Sequence, residues 1–232
     1  MTDLVATELL KIRTLRLSWA VLGLAVILTG LVSYAAVSIA TGTGEGDLTA
    51  ADLDLAFLVR APAEGVWFLA ILVAIVASAG DWQHHTVRAT YLAEPRRPRV
   101  VAAKLAASAV AGLVVGLAAT GTSLVVGGAL LHQEGLPVAL GDAATWRAVG
   151  AAVGLTALWA VVASGLGTLA GNTTVAIVVL LMWRFVGEGV LPVVSDVEPK
   201  WLPSGAAQAV LQGAGRPDLL EPPAGAGMLA AY

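Results

Sequence analysis

The chain contains no cysteine. That excludes disulfides, iron–sulfur clusters and any thiolate metal site, and it leaves the redox compartment open. Charge is scarce too. Asp, Glu, Lys and Arg make up 12% of the residues, against roughly 25% in a soluble domain. The lysines are Lys11, Lys104 and Lys200, followed by Ile12, Leu105 and Trp201. None stands in the G-x-x-x-x-G-K-[ST] pattern of a phosphate-binding loop, so use of ATP requires a partner that binds it. His84 and His85 are adjacent and point in different directions on a helix, and no H-E-x-x-H or i,i+4 partner exists. Solvated polar residues are the better reading of that pair, and no catalytic constellation is visible.

What the chain has in abundance is apolar side chain, 58% of its residues, with a mean hydropathy of +0.84. The apolar residues come in blocks rather than in an amphipathic rhythm. A helix rises 1.5 Å per residue, so ~20 apolar residues cross the hydrocarbon core of a bilayer. Five segments qualify: Trp19–Ala40, Glu64–Ala79, Leu105–Leu131, Trp146–Ala170 and Val175–Leu191. The second and fifth are short and borrow turns from their flanks. Continuous apolar runs satisfy their own backbone as helices, whereas barrel strands alternate. The fold class expected is therefore an all-α integral membrane protein, a bundle of five visible transmembrane helices. The first block exceeds the ~7–15 residues of a signal-peptide core, so it is read as a retained span.

Loop charges orient the spans, because basic connections stay on the cytoplasmic side. The leader carries Lys11, Arg13 and Arg16, and the next connection, Thr41–Ala63, is acidic apart from Arg60. The segment Gly80–Lys104 then holds five of the 13 basic residues, Arg88, Arg96, Arg97, Arg99 and Lys104. His132–Thr145 has the acids Glu134 and Asp142. The assignment is inside, outside, inside, outside, with a tight uncharged turn at Gly171–Thr174 and an outside tail, Pro192–Pro223. Within the leader, residues 1–18, Thr7, Lys11, Thr14 and Ser18 form a polar stripe opposite Val5, Leu9, Ile12 and Trp19. This pattern suits an interfacial amphipathic helix with Arg16 snorkelling to the headgroups. The alternative is a plain extension of the first span. In the tail, Trp201–Leu211 reads as a short re-entrant-like helical element with Ser204 as N-cap.

Several residues within the spans invite a role. Arg184 and Glu188 lie four apart on the fifth span, either as a structural ion pair or as part of a substrate or gating pathway. Gly112/Gly116, Gly150/Gly154 and Gly167/Gly171 allow close helix approach, most simply within one subunit. The tryptophans mostly fall near span ends, where the membrane interface explains them. The basic island has three readings: solvated positive charge, a site for anionic lipid headgroups, or a docking element for a cytoplasmic partner. Its order favours docking. Asp81 can N-cap a short helix running to Tyr91, Pro95 and Pro98 end it, the arginines follow, and Lys104 marks re-entry.

Taken together these motifs resemble the membrane subunit of ABC-2 type exporters, particularly small bacterial permeases. Glu8-Leu9-Leu10-Lys11-Ile12-Arg13-Thr14-Leu15-Arg16 is similar to the family's E-x-x-K-x-R-T-x-R-type entry. Thr86-Val87-Arg88, Leu92, Pro95-Arg96-Arg97 and Lys104 fall on its G-T-[ILV]-R…L-x-x-P-x-x-R…K pattern, and Leu202–Ala206 resembles the segment before its last span. Asp81 stands where the family has Glu, and His85 where it has Gly.

The resemblance implies one ABC-2 transmembrane domain over 1–232, with an extracellular segment at 192–223. It implies six spans rather than five, and Gly225–Tyr232 reads as the start of another. It implies a pair of permease subunits in a bacterial plasma membrane with cytoplasmic N-termini, each docked to a separate ATP-binding cassette subunit that carries ATP and Mg. No cofactor of the chain's own and no nucleic acid would be involved. Residues 80–104 would be the coupling segment, with Asp81, His85, Arg88, Glu94, Pro95, Arg96, Arg97 and Lys104 meeting the ATP-binding subunit. Lys11, Arg13 and Arg16 would belong to the interfacial helix. The alternative function is a non-transporting scaffold or sensor subunit whose basic segment binds a regulator or anionic lipid.

Overall fold

A computed structural model describes residues 2–42, 49–83, 90–92, 94–195, 198–212 and 219–231, and among these no strand occurs. Helix α1 spans Thr2–Thr14 and α2 Arg16–Gly42. They are followed by the short α3, Leu55–Arg60, and by α4, Ala63–Gln83. Next come α5, Arg97–Thr122, a π-helical turn Ser123–Gly127, α6, Gly128–Gln133, and α7, Ala143–Ala170. The chain continues through α8, Thr173–Leu181, a second π-turn Met182–Gly187, α9, Glu188–Val194, α10, Pro203–Gln212, and α11, Pro222–Ala231. Five helical stretches are long and apolar enough to cross a membrane: Arg16–Gly42, Leu55–Gln83, Arg97–Gln133, Ala143–Ala170 and Thr173–Val194. They contain the five segments expected from hydropathy. The chain forms two compact units, Met1–Thr173 and Thr174–Tyr232.

In the first unit the spanning helices are apolar on nearly every face, so bulk rather than polarity decides which face turns inward. On α2 the buried positions are Val21, Ala25, Thr29, Ser33, Ala36 and Val37, while Ile27, Leu31 and Tyr34 face outward. On α7 the buried face carries Ala148, Ala152, Thr156, Ala160, Ala163, Ser164 and Gly167, and Val162 and Leu169 face outward. Small residues turned inward let backbones approach, which is the packing solution when lipid is as apolar as the core. Helix α7 is the hub and packs along both α4 and α5.

Three of the six paired glycines, Gly112, Gly116 and Gly167, serve this packing. A Cβ on Gly112 would lie 2.7 Å from the Ala157 Cα, and one on Gly116 3.0 Å from the Val153 Cα. At Gly167 it would overlap the Ser78 hydroxyl of α4. Gly171 instead closes α7 at φ +60°, the left-handed conformation that favours glycine. Gly150 and Gly154 are exposed and have no atom within 4 Å of a Cβ, so that pair makes no close approach in this unit. Trp67 and Trp159 also depart from the interfacial placement. They stack edge-on between α4 and α7, with ring centroids 5.6 Å apart.

The connection Thr41–Ala63 is more than an acidic loop. Its residues Leu55, Ala56, Leu58 and Val59 are 0–1% exposed. Asp54 caps α3 by accepting from the Phe57 N–H. Leu53, Leu55 and Leu58 join Ala36, Val37 and Leu131 in one apolar cluster. The π-turn of the third span receives α3: Ser123 Oγ donates to the Leu58 carbonyl at 3.1 Å, and a Cβ on Gly127 would come within 2.8 Å of Leu58.

In the second unit, α10 and α11 pack on one another. A Cβ on Gly225 would meet the Ala206 carbonyl at 2.9 Å. Ser204 is not the N-cap of α10. The helix opens at Pro203, whose fixed φ suits the first helical position, and this puts Ser204 inside. Nor does the fifth span stop before Pro192. The helix runs through it to Val194, at the expense of the hydrogen bond that a proline cannot give to the carbonyl four residues earlier.

Substituting Gly112→Ala forces backbone apart and should cost about 1–3 kcal/mol. Gly150→Ala should stay within about 0.5 kcal/mol of wild type. Denaturant unfolding in mixed micelles compares the two directly.

Candidate functional site

Helix α1 ends at Thr14 and the chain turns at Leu15, whose N–H donates to the carbonyls of Lys11 and Ile12 at 3.2 and 3.3 Å. The Trp19 indole N–H donates to the Arg13 carbonyl at 2.9 Å and braces the corner. The leader is thus a helix distinct from the first span. Its inward face runs Val5, Glu8, Ile12, Leu15, a 3-4-3 spacing that places a carboxylate in the middle of an apolar stripe. Glu8 is 7% exposed. Lys11, expected on the outer polar stripe, sits at its edge and turns inward.

Those two residues meet two more across the fold. Lys104, on the second turn of α5, is 4% exposed. Its Nζ contacts Asp81 Oδ2 closely and Glu8 Oε2 at 3.2 Å. Lys11 Nζ contacts Glu8 Oε1 at 2.7 Å and Asp81 Oδ2 at 3.1 Å. Two cations and two carboxylates therefore alternate around one point where α1, the end of α4 and the start of α5 converge. The quartet is electrically neutral, which is what makes burial of four charges tolerable. Lys11 is its half-exposed member. Burial, the largest single influence, opposes its charge, but the hydrogen bonds and charges of Glu8 and Asp81 together raise its pKa above the usual lysine value.

Asp81 consequently does not N-cap a helix. It lies in the last turn of α4, two residues before Gln83, where its carboxylate meets Lys104. Pro98 does not end a helix either. It stands at the second position of α5 and helps start it. His85 and Arg88 lie outside the described residues, as does His84.

The end of the connection is described. Residues 90–92 are helical, and Glu94 N–H donates to the Thr90 carbonyl at 2.9 Å. Glu94 then turns to α5: it accepts from the Arg96 N–H at 3.2 Å and pairs with Arg99 at 3.8 Å. A carboxylate there offsets the cost of arginines at a helix N-terminus. The Arg97 guanidinium lies 5.7 Å from the Tyr91 ring centre, and Tyr91 stacks edge-on with Trp82 at 6.4 Å. Trp82 in turn lies against Gly171, and Thr173 Oγ1 donates to Gln83 at 2.7 Å. Pro95, Arg96, Arg97 and Arg99 are all exposed, and Leu92 beside them is 85% exposed. One end of the unit thus presents an apolar knob and arginines on a backbone held by Glu94, Tyr91 and Trp82.

The remaining candidates sit apart from this cluster. Arg13 and Arg16 are exposed on and just after α1. Arg184 and Glu188 pair at 3.6 Å across the π-turn Met182–Gly187, and the Trp183 indole N–H donates to Glu188 at 3.2 Å. Trp183 is thus a third member of that group. Glu8 is the residue that sequence reasoning left without a role, although a carboxylate between Val5 and Ile12 on an apolar face was the available signal.

Removing one partner of a buried ion pair leaves an uncompensated charge and costs about 3–5 kcal/mol. Lys104→Met should destabilise the chain by that order. Adding Asp81→Leu should recover at least about 1 kcal/mol relative to the sum of the single changes, measured as a double-mutant cycle in micelles. Lys11→Gln should cost less, since Lys11 is half-exposed. Because its pKa is raised on folding, Lys11 contributes fully below the ordinary value of 10.5 and loses its contribution as pH climbs through the higher folded value. The stability gap between wild type and Lys11→Gln should therefore shrink above pH 10.5.

Comparison with protein-family models, with curated proteins and with solved structures finds no match to this chain.

Proposed function

We propose that the chain is the permease subunit of an ATP-driven ABC-2 type exporter, oriented with its N-terminus in the cytoplasm of a bacterial cell. The observation that carries this reading is the join between an exposed docking surface and a buried clamp. Leu92, Arg96, Arg97 and Arg99 offer a partner one apolar and several cationic contacts. The same connection begins just after Asp81 and leads into Lys104, and both are fixed to α1 through Glu8 and Lys11. A displacement of the connection therefore bears on α1, α4 and α5 at once.

The third span supports the same reading. Its 37 residues rise roughly 55 Å at 1.5 Å each, well beyond the ~30 Å of hydrocarbon. Its arginine-bearing start can therefore stand in the cytoplasm. An ATP-binding subunit that grips the connection differently in its two nucleotide states would shift the balance between two arrangements of the spans. A second permease subunit would complete the pathway, and ATP and Mg would be held by the partner.

The tagged chain, solubilised in mild detergent from its own host, should bring down an ATP-binding subunit. Charge reversal of Arg96 and Arg97 to Glu should weaken that association at least tenfold without lowering thermal stability, since both side chains are exposed. Purification of the chain with no ATP-binding protein would sink the exporter reading. Unchanged ATPase association together with lost binding to anionic vesicles would instead favour the scaffold that holds a lipid surface.

A further inference from the structure

Beneath α1 the first unit encloses a groove of about 270 Å³. Leu9 and Ile12 of α1 roof it, and Leu22 of α2, Val73 of α4, and Val110 and Val114 of α5 form its walls. Val110, Val114 and the neighbouring Trp19 are 39%, 49% and 60% exposed, so the groove opens sideways onto the face that hydrocarbon would cover. Val115, deepest along α5, lies eleven residues beyond Lys104, roughly 16 Å at the helical rise. The groove therefore descends from the level of the charge quartet into the apolar layer.

Its polar groups gather where the chain turns between α1 and α2. Arg13 lines it and is exposed, and forms no ion pair among the described residues. Ser18 lines it as well, with a hydroxyl that is buried and has no hydrogen-bond partner among the described residues. An apolar slot open to the bilayer, with an uncompensated cation at its mouth, is complementary to a molecule that is a hydrocarbon chain below and an anion above. A guanidinium pairs well with phosphate.

We propose that this groove holds one anionic phospholipid of the surrounding bilayer, its acyl chain between α2 and α5 and its phosphate on Arg13. The site rests on the membrane assignment alone and not on the exporter reading. The lipid is structural, a wedge that fills the space under α1 and holds that helix against the spans alongside the quartet.

The test is lipid retention by the purified full chain, with no ATPase present, followed by native mass spectrometry. The chain is delipidated and titrated with dioleoylphosphatidylglycerol or dioleoylphosphatidylcholine in detergent. Wild type should keep one phosphatidylglycerol per chain, with at least tenfold preference over phosphatidylcholine. Arg13→Glu should erase that preference. Val114→Trp, which fills the slot from an exposed wall position, should lower retention of both lipids at least tenfold. Val110→Phe fills it from the preceding turn should the tryptophan variant melt early. Leu117→Trp, outward on the same helix and outside the groove, should leave retention at the wild-type level. Equal retention of the two lipids by wild type would overturn the site, since it would mark annular lipid only. So would retention that none of the groove substitutions alters.

Discussion

Lys104 carries an ammonium into the interior of a bundle, and a charge there is tolerated only because Asp81 and Glu8 both reach it. Much of the first unit follows from meeting that demand. Asp81 must lie at the end of α4, so α4 continues past the apolar run that hydropathy alone would end at Ala79. Glu8 must arrive from the leader, so α1 folds back against the bundle instead of extending α2. Lys11 then balances the second carboxylate and leaves the group neutral. Paired charges of this kind add little net stability relative to an apolar core. Their effect here is positional: they set where three chain segments meet, immediately beside the connection that carries the exposed arginines.

The spans supply the other constraint. With apolar residues on nearly every face, a helix can turn its bulk outward and its small residues inward. Ala, Ser, Thr and Gly accordingly fill the seams of α2, α5 and α7. Close approach at Gly112, Gly116 and Gly167 makes these seams tight. The groove under α1 is where tight packing gives way. The quartet and the groove share the same helix, one holding it through charge and the other through an apolar face.

How much of this was legible in the sequence differs by feature, for physical reasons. The five spans are visible because ~20-residue apolar blocks have few other uses. The separate leader helix is visible in its periodicity. The inward turn of Leu55–Arg60 is hidden because Asp52, Asp54 and Pro62 surround a run of six residues, and a short apolar run between acids looks like loop. The π-turns at Ser123–Gly127 and Met182–Gly187 change the hydrogen-bond pattern by one residue, which no hydropathy pattern resolves. Gly150 and Gly154 match the spacing of Gly112 and Gly116 but face outward, since spacing says nothing about which side of a helix is covered. Asp81 was legible as important but misassigned, because a cap and a long-range ion pair ask for the same side chain. Glu8 needed its partner Lys104, 96 residues away, and local pattern does not supply such a pairing.

The absence of cysteine makes the central claim, that the quartet fastens α1 to the bundle, directly measurable. Leu10 on α1 and Leu117 on α5 are exposed, so both can be changed to cysteine, spin-labelled and used for pulsed electron–electron distance measurement in nanodiscs. The account predicts one narrow distance distribution in the otherwise wild-type chain and a broad one when Lys104→Met is added. A distribution that keeps its width and centre in the Lys104→Met chain would contradict it.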